Sequence, residues 1–357
     1  MANSLKILSI DTSCDETSAA VTDGTRVLSN VLWSQASLHN AWGGVYPSLA
    51  KRAHQERIDW VIARAIKKAA TNIANVSAVA VTVGPGLAIA LEVGIKKAVE
   101  IAQQDNKPLI AINHLEGHLL SPLARPKNPQ NPNSTIDRYF PAISLLASGK
   151  HTDIILAKKI GDYKVIANSV DDALGEALDK AARMLGLGYP GGPLLEKFAK
   201  SGNANYYPLP VPMKGRESRL EFSYSGLKTA MFKLVESQKP LTKTKIQNLA
   251  ASFQDKAFQH VENIVGQVLN IHPTNNFFLG GGVSANIELR KRLRKICKTR
   301  QIAFSLPYSK KLCTDNAAMI GLAAYFKYKR GYTSPKKLSV IDRIPRARID
   351  ESFPWEK

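Results

Sequence analysis

The chain has 357 residues, a length that favours two lobes over a single core. Hydrophobic residues make up 44% and charged residues 22%, a composition typical of a globular protein. No apolar run reaches the roughly 20 residues that a membrane span needs, and three scattered cysteines exclude a disulfide framework. The 49 Lys and Arg exceed the 29 Asp and Glu by 20 charges, which favours a polyanionic partner such as nucleic acid over the simpler explanation of solubility.

The first part of the chain is predicted to alternate strands and helices. LKILSIDTSCDETSAAVTDG begins the chain with strand, polar turn and strand, without the basic and apolar regions of a signal peptide. We therefore predict a cytoplasmic protein. KRAHQERIDWVIARAIKKAATNI has the one-sided apolar stripe of a helix. AVAVTVGPGLAIALEVG predicts strand, turn and helix, and PLIAIN is a short strand before a histidine-containing helix.

The second part of the chain repeats this pattern after a segment rich in proline and asparagine, 125–137. YFPAISLLASGKHTDIILAKKIGDYKVIANSV again predicts strands joined by polar turns. DDALGEALDKAARMLGL predicts an amphipathic helix with Asp171 or Asp172 as its N-cap. NNFFLGGGVSAN predicts strand, glycine turn and helix, and CTDNAAMIGLAAYFKYK predicts a capped, buried helix.

The repeated pattern predicts two similar α/β lobes around a cleft. Such a fold resembles the group that holds actin, the sugar kinases and the heat-shock ATPases (the ASKHA fold). We predict an N-terminal lobe over 1–124, a loop or linker over 125–137, a C-terminal lobe over 138–326 and a basic tail without a recognisable motif over 327–357.

Three polar or glycine-rich turns are candidates for binding anions. They are DTSCDET (11–17), LASGKHT (146–152) and GGGVSAN (280–286), and each follows a predicted strand. Turns of this kind expose backbone N–H groups, which bind phosphate or carboxylate. None has the P-loop spacing, so the sequence does not indicate a P-loop ATPase.

His114 and His118 are candidate metal ligands in INHLEGHLLSPL, because residues four apart share one face of a helix. Glu116 lies about 200° around the helix from His114, so the base of an HExxH metalloprotease is missing. Asp315 is a plausible third ligand for zinc or ferrous iron, although it is equally suited to cap the last helix. By spacing alone, both histidines could also be ordinary helix residues.

Basic clusters occur mainly in the last fifth of the chain. They lie at 290–300, 309–312 and 327–330, followed by Lys336, Lys337, Arg343, Arg346 and Arg348. No aromatic-rich RNA-reading motif accompanies them, so any contact with RNA is predicted to involve its backbone and shape. Each cluster is also compatible with a solvated helix face.

Seven motifs occur in an order that resembles the TsaD family of threonylcarbamoyl-adenosine tRNA modification enzymes. They are SIDTSCDETSAAV, VGPGL, INHLEGHLLSPL, DDALGEALDKAARMLGLGYPGGP, FSYSGLKTA, GGGVSAN and CTDNAAMI. The resemblance extends from about residue 5 to 326.

The resemblance implies a transfer of the threonylcarbamoyl group from threonylcarbamoyl-AMP to N6 of the adenine 3′ of the anticodon, in tRNAs that read codons beginning with A. It also implies one divalent metal, Fe²⁺ or Zn²⁺. The implied partners are tRNA and TsaB- and TsaE-like or KEOPS-like proteins, with no membrane. An actin-like small-molecule kinase or ATPase and a non-catalytic scaffold of a tRNA-modifying complex are the alternatives.

The resemblance also implies which residues form the site. It implies metal ligands at His114, His118 and Asp315 and substrate contacts at Leu146, Ala147, Ser148, Gly149, Lys150, Asp179, Gly192, Glu196 and Asn286. Asp11 and Glu16 match acidic residues whose catalytic role is open.

Lys150 departs from the family pattern, which has SGGHT where this chain has SGKHT. Its ammonium group could pair with the phosphate of the adenylate. Alternatively, its side chain could obstruct the loop if this position requires a positive φ angle.

Overall fold

The computed structural model of the protein describes residues 5–39, 44–129, 136–332, 335 and 337–356. Lys336 and part of the predicted loop 125–137, namely 130–135, lie outside the described residues. The described chain forms two β-sheets, each covered by helices.

The first sheet contains the predicted strand–turn–strand unit at the start of the chain. Its strands are β1 (Lys6–Asp11), β2 (Glu16–Asp23), β3 (Arg26–Ser34), β4 (Ala78–Gly84) and β5 (Leu109–Asn113). Their order is β3-β2-β1-β4-β5, in which β1, β2 and β3 are antiparallel neighbours and β4 and β5 run parallel to β1. The third strand, β3, was not predicted from the sequence; it is an edge strand in which buried and partly exposed residues alternate.

The helices of the first lobe follow its strands closely. They are α1 (Ala36–His39), α2 (Pro47–Ala69), α3 (Ala88–Gln104) and α4 (His114–Leu120). The predicted apolar stripe of α2 is confirmed, since Ile58, Val61 and Ile62 are buried against the first sheet. This helix begins earlier than predicted, at Pro47, because the fixed φ angle of proline suits the first turn of a helix.

The second sheet repeats the strand order of the first. Its strands are β6 (Ala142–Ala147), β7 (Thr152–Lys159), β8 (Asp162–Ser169), β9 (Glu221–Phe222), β10 (Asn276–Gly280) and β11 (Ala303–Ser305). Their order is β11-β10-β6-β7-β8-β9, so β6, β7 and β8 correspond to β1, β2 and β3, and β10 and β11 correspond to β4 and β5. The short β9 pairs with the outer edge of β8.

Most of the remaining helices pack on the outer face of the second sheet. The helices after β8 are α5 (Leu174–Met184), α6 (Gly191–Ala199), α7 (Ser225–Ser237), α8 (Lys243–Ile271), α9 (Ile287–Thr299) and α10 (Ala317–Lys329). Apolar residues of α5 to α9 form one core with this sheet, in which Phe253 and Phe258 of α8 are fully buried.

Helices α4 and α10 lie between the two sheets. Leu119 of α4 and Ile320 of α10 belong to a core that also contains Ile110 of the first sheet and Phe278 of the second. The α10 helix follows the second lobe in sequence, yet it packs against β1, β2 and β5 of the first sheet. The structure is therefore a two-lobed α/β fold, as predicted, and the starts of α4 and α10 lie at the junction of the lobes.

The segment after α10 also returns to the first lobe. Ile341, Ala347 and Phe353 join the apolar core on the outer side of the first sheet. The Ile344 N–H donates to the Val83 carbonyl oxygen at 2.7 Å. The predicted basic tail is therefore attached through apolar residues and backbone hydrogen bonds, for which our sequence analysis found no signal.

The predicted N-cap of α5 is wrong. The helix begins at Leu174 after Ala173, and neither Asp171 nor Asp172 caps it. Asp171 instead accepts hydrogen bonds from the N–H groups of Tyr224 and Ser225, at the start of α7. Sequence proximity favoured a local cap, but the fold brings a distant helix start closer.

Candidate active site

The two candidate histidines lie on a short helix at the end of a buried strand. Strand β5 ends at Asn113, whose side chain accepts a hydrogen bond from the Leu115 N–H and so caps α4. His114 and His118 are one turn apart, and their rings meet edge to face with centroids 4.7 Å apart. The cap and the helical spacing therefore direct both imidazoles toward one point.

Asp315 approaches both imidazoles from the start of α10. Its Oδ1 lies 3.3 Å from Nε2 of His114 and 3.0 Å from Nε2 of His118. Asn316 caps α10 by accepting a hydrogen bond from the Met319 N–H, so the alternative that Asp315 serves as the helix cap is wrong. Ligand atoms of the three residues lie within 4.8 Å of one another, which allows them to hold a metal ion.

Burial and mutual attraction compete in this cluster. Burial alone would raise the pKa of Asp315, but the neighbouring histidines hold the pKa of this carboxyl well below its usual range. Burial lowers the pKa of His118. The same burial acts on His114, but Asp315 and Asp11 outweigh it and raise the pKa of His114 to about 10. The pKa values of the two neighbouring histidines therefore shift in opposite directions, because His114 lies between two carboxylates.

Glu116 does not face the candidate metal ligands. Its Oε1 accepts a hydrogen bond from the Tyr163 hydroxyl of β8 at 3.0 Å, and burial raises the pKa of its carboxyl. The predicted orientation of this residue is confirmed. The arrangement lacks the glutamate base of an HExxH protease.

The first candidate anion-binding turn, 11–17, which is called the first loop below, places acidic residues beside the histidines. Asp11 is the last residue of β1 and is fully buried, with its Oδ1 3.6 Å from Nδ1 of His114. Glu16 begins β2, and burial together with the nearby Asp15 and Asp315 raises the pKa of its carboxyl well above the ordinary value. This loop therefore places acidic side chains on the side of the candidate metal centre.

The second candidate anion-binding turn, 146–152, which is called the second loop below, connects β6 and β7 tightly. Leu146 and Ala147 are the last residues of β6. The Ser148 N–H donates to the His151 carbonyl oxygen, and the Ser148 hydroxyl accepts from the N–H groups of Lys150 and His151. These bonds set the shape of the turn, which leaves Gly149 and Lys150 exposed.

Lys150 fits this turn without backbone strain. It is absent from the described non-glycine residues with positive φ angles, so the obstruction considered from the sequence does not arise in the backbone. The Lys150 side chain is exposed as a whole, but its ammonium end lies among other groups. Desolvation of that end opposes the charge, yet Cys14, Asp315 and Asp15 outweigh it and raise the pKa of Lys150. Its ammonium group therefore lies on the side of the cleft that the first loop faces.

Asp179 and Gly192 meet where α5 passes the start of α6. The Gly192 N–H donates to Oδ1 of Asp179 at 2.8 Å, and burial raises the pKa of this carboxyl. A Cβ atom on the neighbouring Gly191 would lie 2.6 Å from that of Ala182, so glycine permits this close approach.

Asn286 and Glu196 meet at the start of α9. Asn286 caps this helix through the N–H groups of Glu288 and Leu289, while Oε1 of Glu196 accepts from the Ile287 N–H at 2.9 Å. Glu196 and Ile287 line a cavity of about 280 Å³ between α6, α8 and α9. The amide Nδ2 of Asn286 donates to Gln254 of α8, which also lines this cavity.

Gln254 was missed by our sequence analysis. It lies inside a long helix, without a glycine, cap or repeated spacing that would single it out. Two of the predicted basic residues turn out to have intramolecular roles. Arg292 forms ion pairs with Asp255, Glu262 and Glu288, and Arg290 donates to the Ser284 carbonyl oxygen. The cluster at 290–300 is therefore only partly available to a nucleic acid.

Among the described residues, no helix combines the length and apolar character needed to cross a membrane.

Comparison with known proteins identifies the family. The family model described as TsaD, tRNA N6-adenosine threonylcarbamoyltransferase, matches residues 26–322. The protein of that name from Bartonella bacilliformis is 41% identical over 367 residues, covering 98% of this chain and 96% of its own. The one from Brucella anthropi is 44% identical over 361 residues, covering 97% of this chain and 96% of its own.

A structural comparison supports the fold independently of close sequence similarity. The Acidaminococcus fermentans (R)-2-hydroxyglutaryl-CoA dehydratase component A superposes with a TM-score of 0.52 at 14% identity, covering 91% of this chain and all of that one. Similarity at this level of identity shows the shared fold alone. The sequence matches carry the family assignment, and by them the chain belongs to the TsaD family of tRNA N6-adenosine threonylcarbamoyltransferases.

Proposed function

We propose that this transferase acts in the cytoplasm and moves the threonylcarbamoyl group from threonylcarbamoyl-AMP to N6 of the adenine 3′ of the anticodon, in tRNAs that read codons beginning with A. The bond between the carbamoyl carbon and the phosphate oxygen breaks and AMP leaves, while a bond from that carbon to N6 forms and N6 releases one proton to solvent. The near full-length family match carries this proposal. The His-His-Asp cluster at the lobe junction, in which both histidines are buried, supports it chemically.

In this proposal, His114, His118 and Asp315 hold one divalent ion, either zinc or ferrous iron. Two imidazoles and a carboxylate suit both ions, and the convergence of both Nε2 atoms on Oδ1 of Asp315 fits such a site. When bound, the ion supplies a Lewis acid that polarises the carbamoyl carbonyl. Polarisation is needed because the amine of adenine is a weak nucleophile.

The second loop and helices α5, α6 and α9 are proposed to hold the adenylate. The N–H group of Gly149 and the ammonium group of Lys150 would face its phosphate, since the N–H groups of Ser148 and Lys150 already donate within the turn. Asp179 and Gly192 would contact the nucleoside. Glu196 and Asn286 would contact it from the start of α9. Of these proposed contacts, only Glu196 lines the cavity of about 280 Å³ between α6, α8 and α9, so the cavity supports the contact at that residue alone.

We propose that the basic surface binds the backbone of tRNA, in keeping with the net charge of +20. TsaB- and TsaE-like or KEOPS-like proteins are the proposed partners, on the basis of the family resemblance. The assay below therefore includes them as separate additions.

Incubation of the protein with threonylcarbamoyl-AMP, Fe²⁺ or Zn²⁺ and unmodified tRNA tests the proposal. Mass analysis of the digested nucleosides is expected to reveal threonylcarbamoyl-adenosine (t6A). The reaction is run with and without the partner proteins as separate arms. The His114→Ala variant should form none. ATP turnover that persists in this variant would support the kinase alternative, and nucleotide and tRNA binding without t6A in every arm would support the scaffold.

A further inference from the structure

The carboxylate of Asp11 is buried without a hydrogen bond. The residue is 0% exposed, and neither of its carboxylate oxygens has a hydrogen-bond partner among the described residues. Burying a charged group without a partner is costly, so such a group usually has a function or a partner that completes it. The proposed ligand set of His114, His118 and Asp315 leaves Asp11 without a role.

The backbone around Asp11 is held firmly in place. Asp11 pairs with Ser18 across β1 and β2. The next residue, Thr12, donates its hydroxyl hydrogen to the Ala90 carbonyl oxygen of α3 at 2.9 Å. A Cβ atom on Gly94 would lie only 2.4 Å from Oγ1 of Thr12, so α3 packs directly on this side chain. The carboxylate position of Asp11 therefore follows from a rigid corner of the first lobe.

His114 supplies the complementary group. Its Nδ1 lies 3.6 Å from Oδ1 of Asp11 and also lacks a hydrogen-bond partner among the described residues. Its Nε2 points the other way, toward Asp315 at 3.3 Å. If a metal takes Nε2, the ring must carry its hydrogen on Nδ1, and that hydrogen faces Asp11. A slight rotation of the ring would shorten the 3.6 Å separation to a hydrogen bond.

We propose that Asp11 is a positioning residue for the metal centre. Its carboxylate accepts the Nδ1 hydrogen of His114, which selects the tautomer with Nε2 available to the metal and fixes the plane of the ring. Asp11 itself is not a ligand and does not act as the general base. This inference rests on the proposed metal site and holds for any divalent ion bound through Nε2.

Cobalt titration of the metal-free full-length protein tests this role without any activity assay. We expect Asp11→Asn, which keeps the shape but loses the charged acceptor, to weaken Co²⁺ binding by about 10- to 100-fold. The visible absorption bands of the bound ion should remain at the wild-type wavelengths, because the ligands are unchanged. Asp15→Asn is the matched control, since it removes one charge from the same loop, and its affinity should stay within about threefold of wild type.

Several outcomes would overturn the proposal. Unchanged affinity in Asp11→Asn would remove the role, shifted absorption bands would make Asp11 a ligand, and an equal loss in Asp15→Asn would reduce the effect to loop charge. If wild type binds no Co²⁺, the metal site itself fails and this inference fails with it. A nitrogen-15 NMR spectrum of zinc-loaded wild type is the independent check, and it should detect a protonated Nδ1 on His114. A deprotonated Nδ1 would overturn the proposal even if the variants do not fold.

Discussion

The two lobes share a strand order but present opposite chemistry to the cleft. In each lobe, three antiparallel strands are followed by two strands parallel to the first. Asp11 and Glu16 flank the turn between β1 and β2, whereas the corresponding turn between β6 and β7 carries Gly149 and Lys150. The same strand order therefore presents acidic side chains, which suit a cation, in the first lobe and a basic turn, which suits a phosphate, in the second.

The helices that follow the last strand of each lobe, α4 and α10, also begin with different functional side chains. Strand β5 leads into α4, which provides two imidazoles, while the chain after β11 leads into α10, where Asp315 provides a carboxylate just before the helix. Neither lobe contains the whole ligand set in consecutive sequence. The packing of α4 against α10 between the sheets therefore brings the candidate metal centre together.

Removing one imidazole should have the largest effect on this division of roles. We expect His118→Ala to lose metal affinity by at least about 100-fold, because changes to the outer shell of a metal site alone cost 10- to 100-fold. Formation of t6A should fall below detection. Elemental analysis and the nucleoside assay measure the two effects. His272→Ala, at the end of α8, is the control, and equal metal content in the two variants would contradict the site.

Raising the salt concentration should reveal how far the basic surface serves tRNA. Each neutralised phosphate contributes roughly 0.7 to 0.9 to the slope of log affinity against log salt concentration. If binding neutralises about three phosphates, affinity should therefore fall about 30-fold between 50 and 200 mM salt. A filter-binding or anisotropy series measures this slope. Affinity that does not vary with salt would mean that the net charge of +20 serves another purpose.

Changing Lys150 should reduce the contrast between the two turns. We expect Lys150→Met to weaken adenylate binding by about tenfold, because a charge-assisted hydrogen bond to phosphate is lost while the aliphatic stem remains. Lys150→Gly restores the family pattern and should recover part of the loss through closer backbone contact. Calorimetry with a stable adenylate analogue measures both, and unchanged affinity in the Met variant would make this lysine a tolerated surface residue.

The smallest predicted effect concerns an element without a counterpart in the first lobe. Asp171 holds the start of α7, so Asp171→Ala should destabilise the protein by about 1 kcal/mol, as the loss of an N-cap typically does. Urea unfolding measures this change. Glu176→Ala, which removes a half-exposed ion pair with Lys180 and the acidic residue in the first turn of α5, should cost less, about 0.5 kcal/mol. A larger loss in Glu176→Ala than in Asp171→Ala would contradict the cap.

Local sequence patterns were informative where one physical rule dominates. The apolar stripe of α2 and the one-turn spacing of His114 and His118 both correspond to observed elements. They are predictable because side-chain direction repeats with a fixed period in strands and helices. The cap of α5 failed for the opposite reason, since a polar residue beside a helix start can bond to any nearby N–H group, including one on another helix.

The sequence by itself determined the family, the two-lobed α/β class and the order of the motifs, because these depend on residue identity and local periodicity. Only the tertiary structure decided that Asn316 rather than Asp315 caps α10, and that Asp11 faces His114. It also decided that α10 and the segment after it return to the first lobe. Such contacts join residues hundreds of positions apart, and they depend on how two sheets pack on shared helices, which no local pattern records.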